Sequence, residues 1–293
     1  MGVLFSSGDT KMTQTKGSYQ FDRFQGDIQT QELQRLDYQS QILQGLEQKI
    51  WREAGLTPTM RVLDLGCGTG IISQAIAQSL TTGSIVGVDR SPTMVRAAQN
   101  HTREQKMTNL TFQVGSSEKL DLPSSSCDFV YARLLFQHLS EPQATLREIQ
   151  RVLKPGGIIC IVDVDNDWTM FHPPVPSINT FQQYITQIQQ QQGGDPQVGR
   201  KLGGYLTTAG FAQIRTSIEI ITSDYGQEGK GMGLRAFLDL FSFGAAFEHG
   251  NSDAFTLGMQ AKADASKLLE LPYAWAGFGL FIVKGVNLAV VGI

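Results

Sequence analysis

The segment that most constrains this chain is Val62-Leu63-Asp64-Leu65-Gly66-Cys67-Gly68-Thr69-Gly70, an apolar run, an acid and three glycines at every second position. Arg61–Leu65 reads as a short buried strand, and a helical pattern over Thr69–Leu80 follows it. A strand that enters a helix through glycines makes a sharp turn and lets a ligand approach its amides. The dinucleotide fingerprint needs one more residue before its third glycine, so this spacing argues against a nicotinamide-dependent oxidoreductase. Val88-Asp89 closes the next strand, Ser84–Val88, 19 residues after Gly70. A carboxylate at that place accepts hydrogen bonds from both hydroxyls of a ribose. Taken singly, Asp64 is a strand-end turn former and Asp89 a helix cap. Taken together, in order, on alternating strands and helices, they specify a bound adenosine.

The alternation continues. Pro92–Gln105 is a predicted helix with Ser91 as N-cap and Pro92 at its first position. Strands are predicted at 110–114, 127–132 and 157–164, with a helix at 143–153. Strands alternating with helices argue for a parallel sheet covered on both faces. Before the glycine turn, Leu36, Leu43 and Ile50 recur every seven residues, with Ile42 and Leu46 beside them, and predict one amphipathic helix over 28–53 that Gly55 and Pro58 end. After Val164 the pattern changes. Ile178, Phe181, Ile185 and Ile188 give a helix through a glutamine-rich stretch, and another helix spans 198–209. A strand at 212–221, helices at 233–248 and 253–270, and a strand at 273–284 complete the chain. The divisions read from this are a flexible tail (1–18), a helical lid (19–58), a ligand-binding core (59–165), helical insertions with the last strands (166–284) and a C-terminal tail (285–293).

Composition narrows the class. Hydrophobic residues make up 41% and charged residues 17%, which is globular and not disordered. The net charge of -3 gives no basic surplus for nucleic acid. The three cysteines, Cys67, Cys127 and Cys160, fit neither a zinc pattern nor a CxxC pair and read as reduced thiols of a cytoplasmic protein, so no metal is expected. Cys67 reads as a small filler of the loop. Neither a secretory leader nor a membrane span is expected.

VLDLGCGTG, GVDRSPTMVRAA, GSSEKLDLPSSSCDFVYARLLFQHL and RVLKPGGIICIVD together resemble the class I S-adenosylmethionine (SAM)-dependent methyltransferases, in particular the domains similar to ubiquinone/menaquinone C-methyltransferases and natural-product methyltransferases. The likeness is strong over 60–164; GGDPQVGRKLGGYLTTAGF (193–211) also resembles that group. The resemblance implies a Rossmann-like, doubly wound seven-stranded α/β sheet with its last strand antiparallel and helical insertions capping the acceptor site. It implies that Gly66, Cys67, Gly68 and Gly70 line SAM, that Asp64 orders the methionine amino group, and that Asp89 holds the ribose with Arg90 and Met94 near the adenine. Ser116 and Ser117 fall where the family binds the adenine edge. Many members have Asp at the first of these positions, so serine there leaves a backbone contact. Arg133 falls near the sulfonium and methionine tail. S-adenosylhomocysteine would be the product.

The acceptor side has fewer landmarks. His138, past the fourth strand at the ligand-binding edge, is the candidate base, or else a histidine packed on the short helix 134–139. Trp168, Phe171 and His172 in the insertion, with Phe237 and Phe241, are candidates for an aromatic acceptor pocket; Phe237, Phe241, Phe243 and Phe247 at helical spacing also read as core. The expected activity is methyl transfer to O, N or C of a small molecule, by a monomer or homodimer. A protein or nucleic-acid methyltransferase is the alternative, although Ala132-Arg133-Leu134-Leu135 stands where amino-methylating nucleic-acid enzymes place Pro-Pro-aromatic. A non-catalytic SAM-binding regulator is the third reading.

Overall fold

The computed structural model describes residues 17–103, 105–224, 233–240 and 252–288. Seven strands form one sheet in the order β3-β2-β1-β4-β5-β7-β6. They are β1 (Arg61–Leu65), β2 (Ser84–Asp89), β3 (Leu110–Val114), β4 (Cys127–Arg133), β5 (Leu153–His172), β6 (Ala212–Thr222) and β7 (Trp275–Val286). The first five run parallel, and β7 is antiparallel to both β5 and β6. This is the seven-stranded sheet with a reversed last strand that the resemblance implied.

Helices cover both faces. On one lie α1 (Gly26–Ile42), α2 (Gln44–Ala54) and α3 (Ile71–Ser79), where Leu46, Ile50, Trp51 and Ile76 pack on Phe129 and Tyr131. On the other, α5 (Pro142–Val152) and α7 (Leu202–Thr208) pack Leu146, Ile149, Leu202 and Leu206 against Leu63, Val130 and Ile161. β1 and β4 are buried on both faces, which is why they read as continuous apolar runs. α4 (Pro92–Arg103) starts where expected: Ser91 Oγ accepts the Met94 amide at 3.1 Å.

Two expectations need correction. The single helix over 28–53 is two helices, broken at Leu43 (φ -90°, ψ 0°). The second keeps the apolar stripe and ends at Gly55, whose φ of 110° lets its amide and that of Leu56 reach the last carbonyls of α2. The fifth strand does not stop at Val164 but continues to His172, because its distal half pairs with β7 from Thr169↔Phe278 to His172↔Trp275 after an irregularity. Beside that extension, α6 (Pro176–Gln191), α8 (Gly233–Asp239) and α9 (Ser252–Ser266) form a satellite core around Phe181, Ile185, Leu238 and Ala261. Phe241, Phe243, Phe247, the tail to residue 16 and the last five residues lie outside the described residues. No helix of the described residues is long and apolar enough to cross a membrane.

Candidate active site

The site lies at the C-terminal ends of β1, β2, β4 and β5, where open α/β sheets bind ligands. The amides of Gly66 and Cys67 both bond the Val88 carbonyl, at 2.8 and 3.1 Å, and tie the turn after β1 to the end of β2. All three glycines have positive φ, but their surroundings differ. A Cβ on Gly70 would come within 2.7 Å of the Phe112 ring, and one on Gly66 within 3.1 Å of Leu135. A Cβ on Gly68 would meet nothing among the described residues within 4 Å. Gly70 is therefore glycine for packing, whereas Gly68 (φ 53°) faces open space. Cys67 is buried beside Gly87, and burial raises its thiol pKa, so it fills space as a neutral group.

Asp89 anchors the turn. Its Oδ2 accepts the Gly68 amide at 3.0 Å and its Oδ1 the Ser91 amide at 2.9 Å. Burial raises its pKa, and these two amide bonds oppose the rise. Each carboxylate oxygen keeps a lone pair for a sugar hydroxyl. Asp64 is buried and accepts the Ser73 hydroxyl at 2.5 Å. Desolvation pushes its pKa up to about 7, against the lowering effect of the Ser73 bond.

Arg133 is held from α2. Its Nε donates to Glu47 at 2.6 Å, and Tyr131 Oη donates to the same fully buried carboxylate. Among the described residues, the buried Arg133 Nη2 has no partner. A desolvated donor of this kind costs about 1–3 kcal/mol unless a ligand accepts from it. These groups fit SAM: Asp89 for the ribose, the carboxylate of Asp64 for the methionine ammonium, Arg133 Nη2 for the methionine carboxylate, and the space over Gly68 for the chain between them.

The remaining candidates divide. Met94 is buried under Phe21 and Phe24 of the segment before α1. The hydroxyls of Ser116 and Ser117 are used locally, with the Glu118 amide at 3.2 Å and Thr145 Oγ1 at 2.9 Å, so side-chain readout of an adenine edge is not set up. Arg90 flanks Gly17, whose φ of 105° brings the strap 17–24 across the site. That strap is bonded at both ends. The Ser18 amide donates to the His138 carbonyl at 3.1 Å, Ser18 Oγ meets His138 Nδ1 at 3.0 Å, and Ser91 Oγ donates to Asp22 at 2.8 Å. Tyr19 lies over the His138 ring, with centroids 5.2 Å apart, and donates to buried Glu32 at 2.9 Å. Glu32 in turn holds Arg35, whose Nη1 reaches the Leu240 carbonyl at 2.9 Å. Burial, with Arg90 and Arg35 nearby, lowers the His138 pKa to about 3, so the imidazole is neutral at pH 7.

The acceptor candidates do not share one wall, which corrects the sequence expectation. Successive residues of a strand point to opposite faces. Phe171 meets Phe237, which also meets Phe278, at 6.5 and 5.7 Å between centroids. Trp168 and His172 point the other way: Trp168 stands edge-on to Phe281 at 5.4 Å and is 39% exposed, while His172 lies near exposed Tyr273. The sequence reading missed Glu47, Glu32 and the strap residues Ser18 and Asp22. Glu47 did leave a signal, being a charged residue four after Leu43 and three before Ile50 on the apolar stripe.

Residues 56–197 match the family model described as a methyltransferase domain. An uncharacterized methyltransferase of Schizosaccharomyces pombe is 31% identical over 52% of this chain and 57% of its own length. A ubiquinone biosynthesis O-methyltransferase of Coxiella burnetii is 31% identical over 38% of this chain and 46% of its own. The chain spans about half the length of the curated relatives it matches. Among solved structures, the [4+2]-cyclase SpnF superposes with a TM-score of 0.57 at 23% identity, over 85% of this chain and 82% of that one. Residues 56–197 are thus similar to a methyltransferase domain, and the sheet has the fold of solved SAM-dependent methyltransferases.

Proposed function

We propose that this chain transfers a methyl group from SAM to an oxygen, nitrogen or carbon of a small-molecule acceptor. The observation that carries the reading is Gly68, a positive-φ residue with open space before it and its amide fixed to the Asp89 carboxylate. When bound, SAM supplies a carbon already activated by its sulfonium. Asp89, Asp64 and Arg133 fix the donor at three points, and the strap 17–24 excludes water above it. What is left to the protein is to hold the acceptor in line at about 3 Å. With a pKa of about 3, His138 is a weak base. Its proposed part is to orient the acceptor and to take a proton once the acceptor has begun to lose it.

A small acceptor is supported by the aromatic cluster of Phe171, Phe237 and Phe278 and by the likeness to the ubiquinone biosynthesis O-methyltransferase of Coxiella burnetii. The three cysteines, all free and buried, fit a cytoplasmic setting. The readings that compete are a protein or nucleic-acid acceptor, and donor binding without transfer. The second has one observation behind it, the weakness of His138 as a base. Incubating the purified chain and labelled SAM with an extract of the native cells separates them. Label in a low-mass product is expected. Label in protein or RNA, or tight SAM binding without any transfer, overturns the proposal.

A further inference from the structure

We propose that two copies of this chain associate along β6, pairing antiparallel about a two-fold axis through Ser217 and joining their sheets edge to edge. Among the described residues, β6 ends the sheet order and is paired only to β7. It has eleven residues, whereas β3 at the opposite edge has five. Natural edges are blunted with Lys, Pro or shortness. Ala212–Thr222 contains neither Lys nor Pro, and Arg215–Ile218 are all exposed, with Ile220 42% exposed beyond them. The irregularity between Ala212 and Arg215 leaves Ile214–Ile220 free to form a regular outer ladder.

The side chains select the partner and the register. A two-fold centred on Ser217 sets each residue opposite the one equally far on the other side. On one face, Arg215 then stands across from Glu219 of the second copy, twice by symmetry, with Ser217 opposite itself. On the other face Ile214 meets Ile220 and Thr216 meets Ile218, an unbroken β-branched row of the kind that stabilises cross-strand pairs. Moving the axis to either neighbour sets Arg215 opposite an uncharged residue. The strand limits, Ala212 and Thr222, are themselves symmetric about Ser217. Within one copy Glu219 has an exposed ion pair with Lys49, at 2.8 Å, which is worth little in water and leaves a second oxygen for Arg215. An isologous contact of this kind closes on itself, so it gives a dimer and not a fibre.

Sedimentation velocity on the full chain over a dilution series tests this. A dimer is expected. Arg215→Glu and Glu219→Arg should each weaken it by about tenfold or more, since each sets like charges opposite twice. The double exchange, Arg215→Glu with Glu219→Arg, should restore it. Should a variant fail to fold, hydrogen exchange of the unmodified chain decides, with β6 amides gaining protection as concentration rises. A monomer at every concentration, a dimer indifferent to both single changes, a double exchange that rescues nothing, or β6 amides that gain no protection would overturn the proposal.

Discussion

The half of this molecule that we propose binds the donor and the half that we propose faces the acceptor are built on different physics. Around β1, β2 and β4, polar groups are buried and each is pinned by another element: Asp89 by the Gly68 and Ser91 amides, Asp64 by Ser73, Arg133 by Glu47 from α2. Around the distal part of β5, α6 and α8, the interior is almost wholly apolar, with Phe171, Phe237 and Leu238 setting its shape. A polar site needs particular residues at particular places, because an unpaired buried donor or charge is costly. An apolar wall tolerates many residues of similar volume. The first kind of region keeps a recognisable motif, and the second does not.

The contrast is broken most directly at Glu47. If buried pairs govern the donor half, Glu47→Ala leaves Arg133 charged and uncompensated and should cost about 3–5 kcal/mol of stability in a denaturant titration. A cost below about 1 kcal/mol would show that the network is hydrated and contributes little. Next in size is Gly68→Val. The left-handed backbone at φ 53° disfavours a β-branched residue, and the added side chain enters the open space over the loop. SAM affinity should fall about a hundredfold by calorimetry, while the backbone strain lowers the melting temperature by a few degrees. Unaltered affinity would place the donor elsewhere.

The same contrast explains what could be read in the sequence. The glycine turn, Asp64, Asp89 and the Ser91 cap were legible because backbone geometry demands those residues, and spacing along the chain reports local geometry. The sheet with its reversed last strand came through the family resemblance, not through periodicity. Three things were hidden because they depend on contacts far apart in sequence. One is the strap, where Ser18 meets His138 across 120 residues. Another is the grip of Glu47 on Arg133, 86 residues away. The third is the face that each residue of β5 presents, since Trp168 and Phe171 part company only once the strand is known to continue past Val164.

Two buried carboxylates sharpen the comparison, one inside the donor half and one at its border. Asp64 lies in β1 just before the glycine turn, and Asp163 lies where β5 leaves the donor half, accepting the Val164 amide at 2.9 Å and the Gln137 amide at 3.2 Å. Desolvation raises both to about 7, from an ordinary value near about 4. The folded chain therefore holds these protons more tightly than the unfolded one, and each group lowers stability as pH rises from about 4 to about 7. His138 works in the opposite sense: it is kept neutral in the fold down to about 3, so its contribution is lost as pH falls below about 6.5. Donor binding separates the two acids. If the methionine ammonium sits on Asp64, binding requires the carboxylate and releases its proton, so SAM affinity should fall by about tenfold per unit as pH drops well below 7. Asp64→Asn should weaken binding near neutrality and flatten that slope, whereas Asp163→Asn should leave the slope in place and lower stability, because its amide nitrogen cannot accept from one of the two backbone N–H groups. Calorimetry in buffers of differing ionisation enthalpy measures the released proton directly. A slope that survives Asp64→Asn but disappears with Asp163→Asn would move the ammonium contact from the glycine turn to the end of β5.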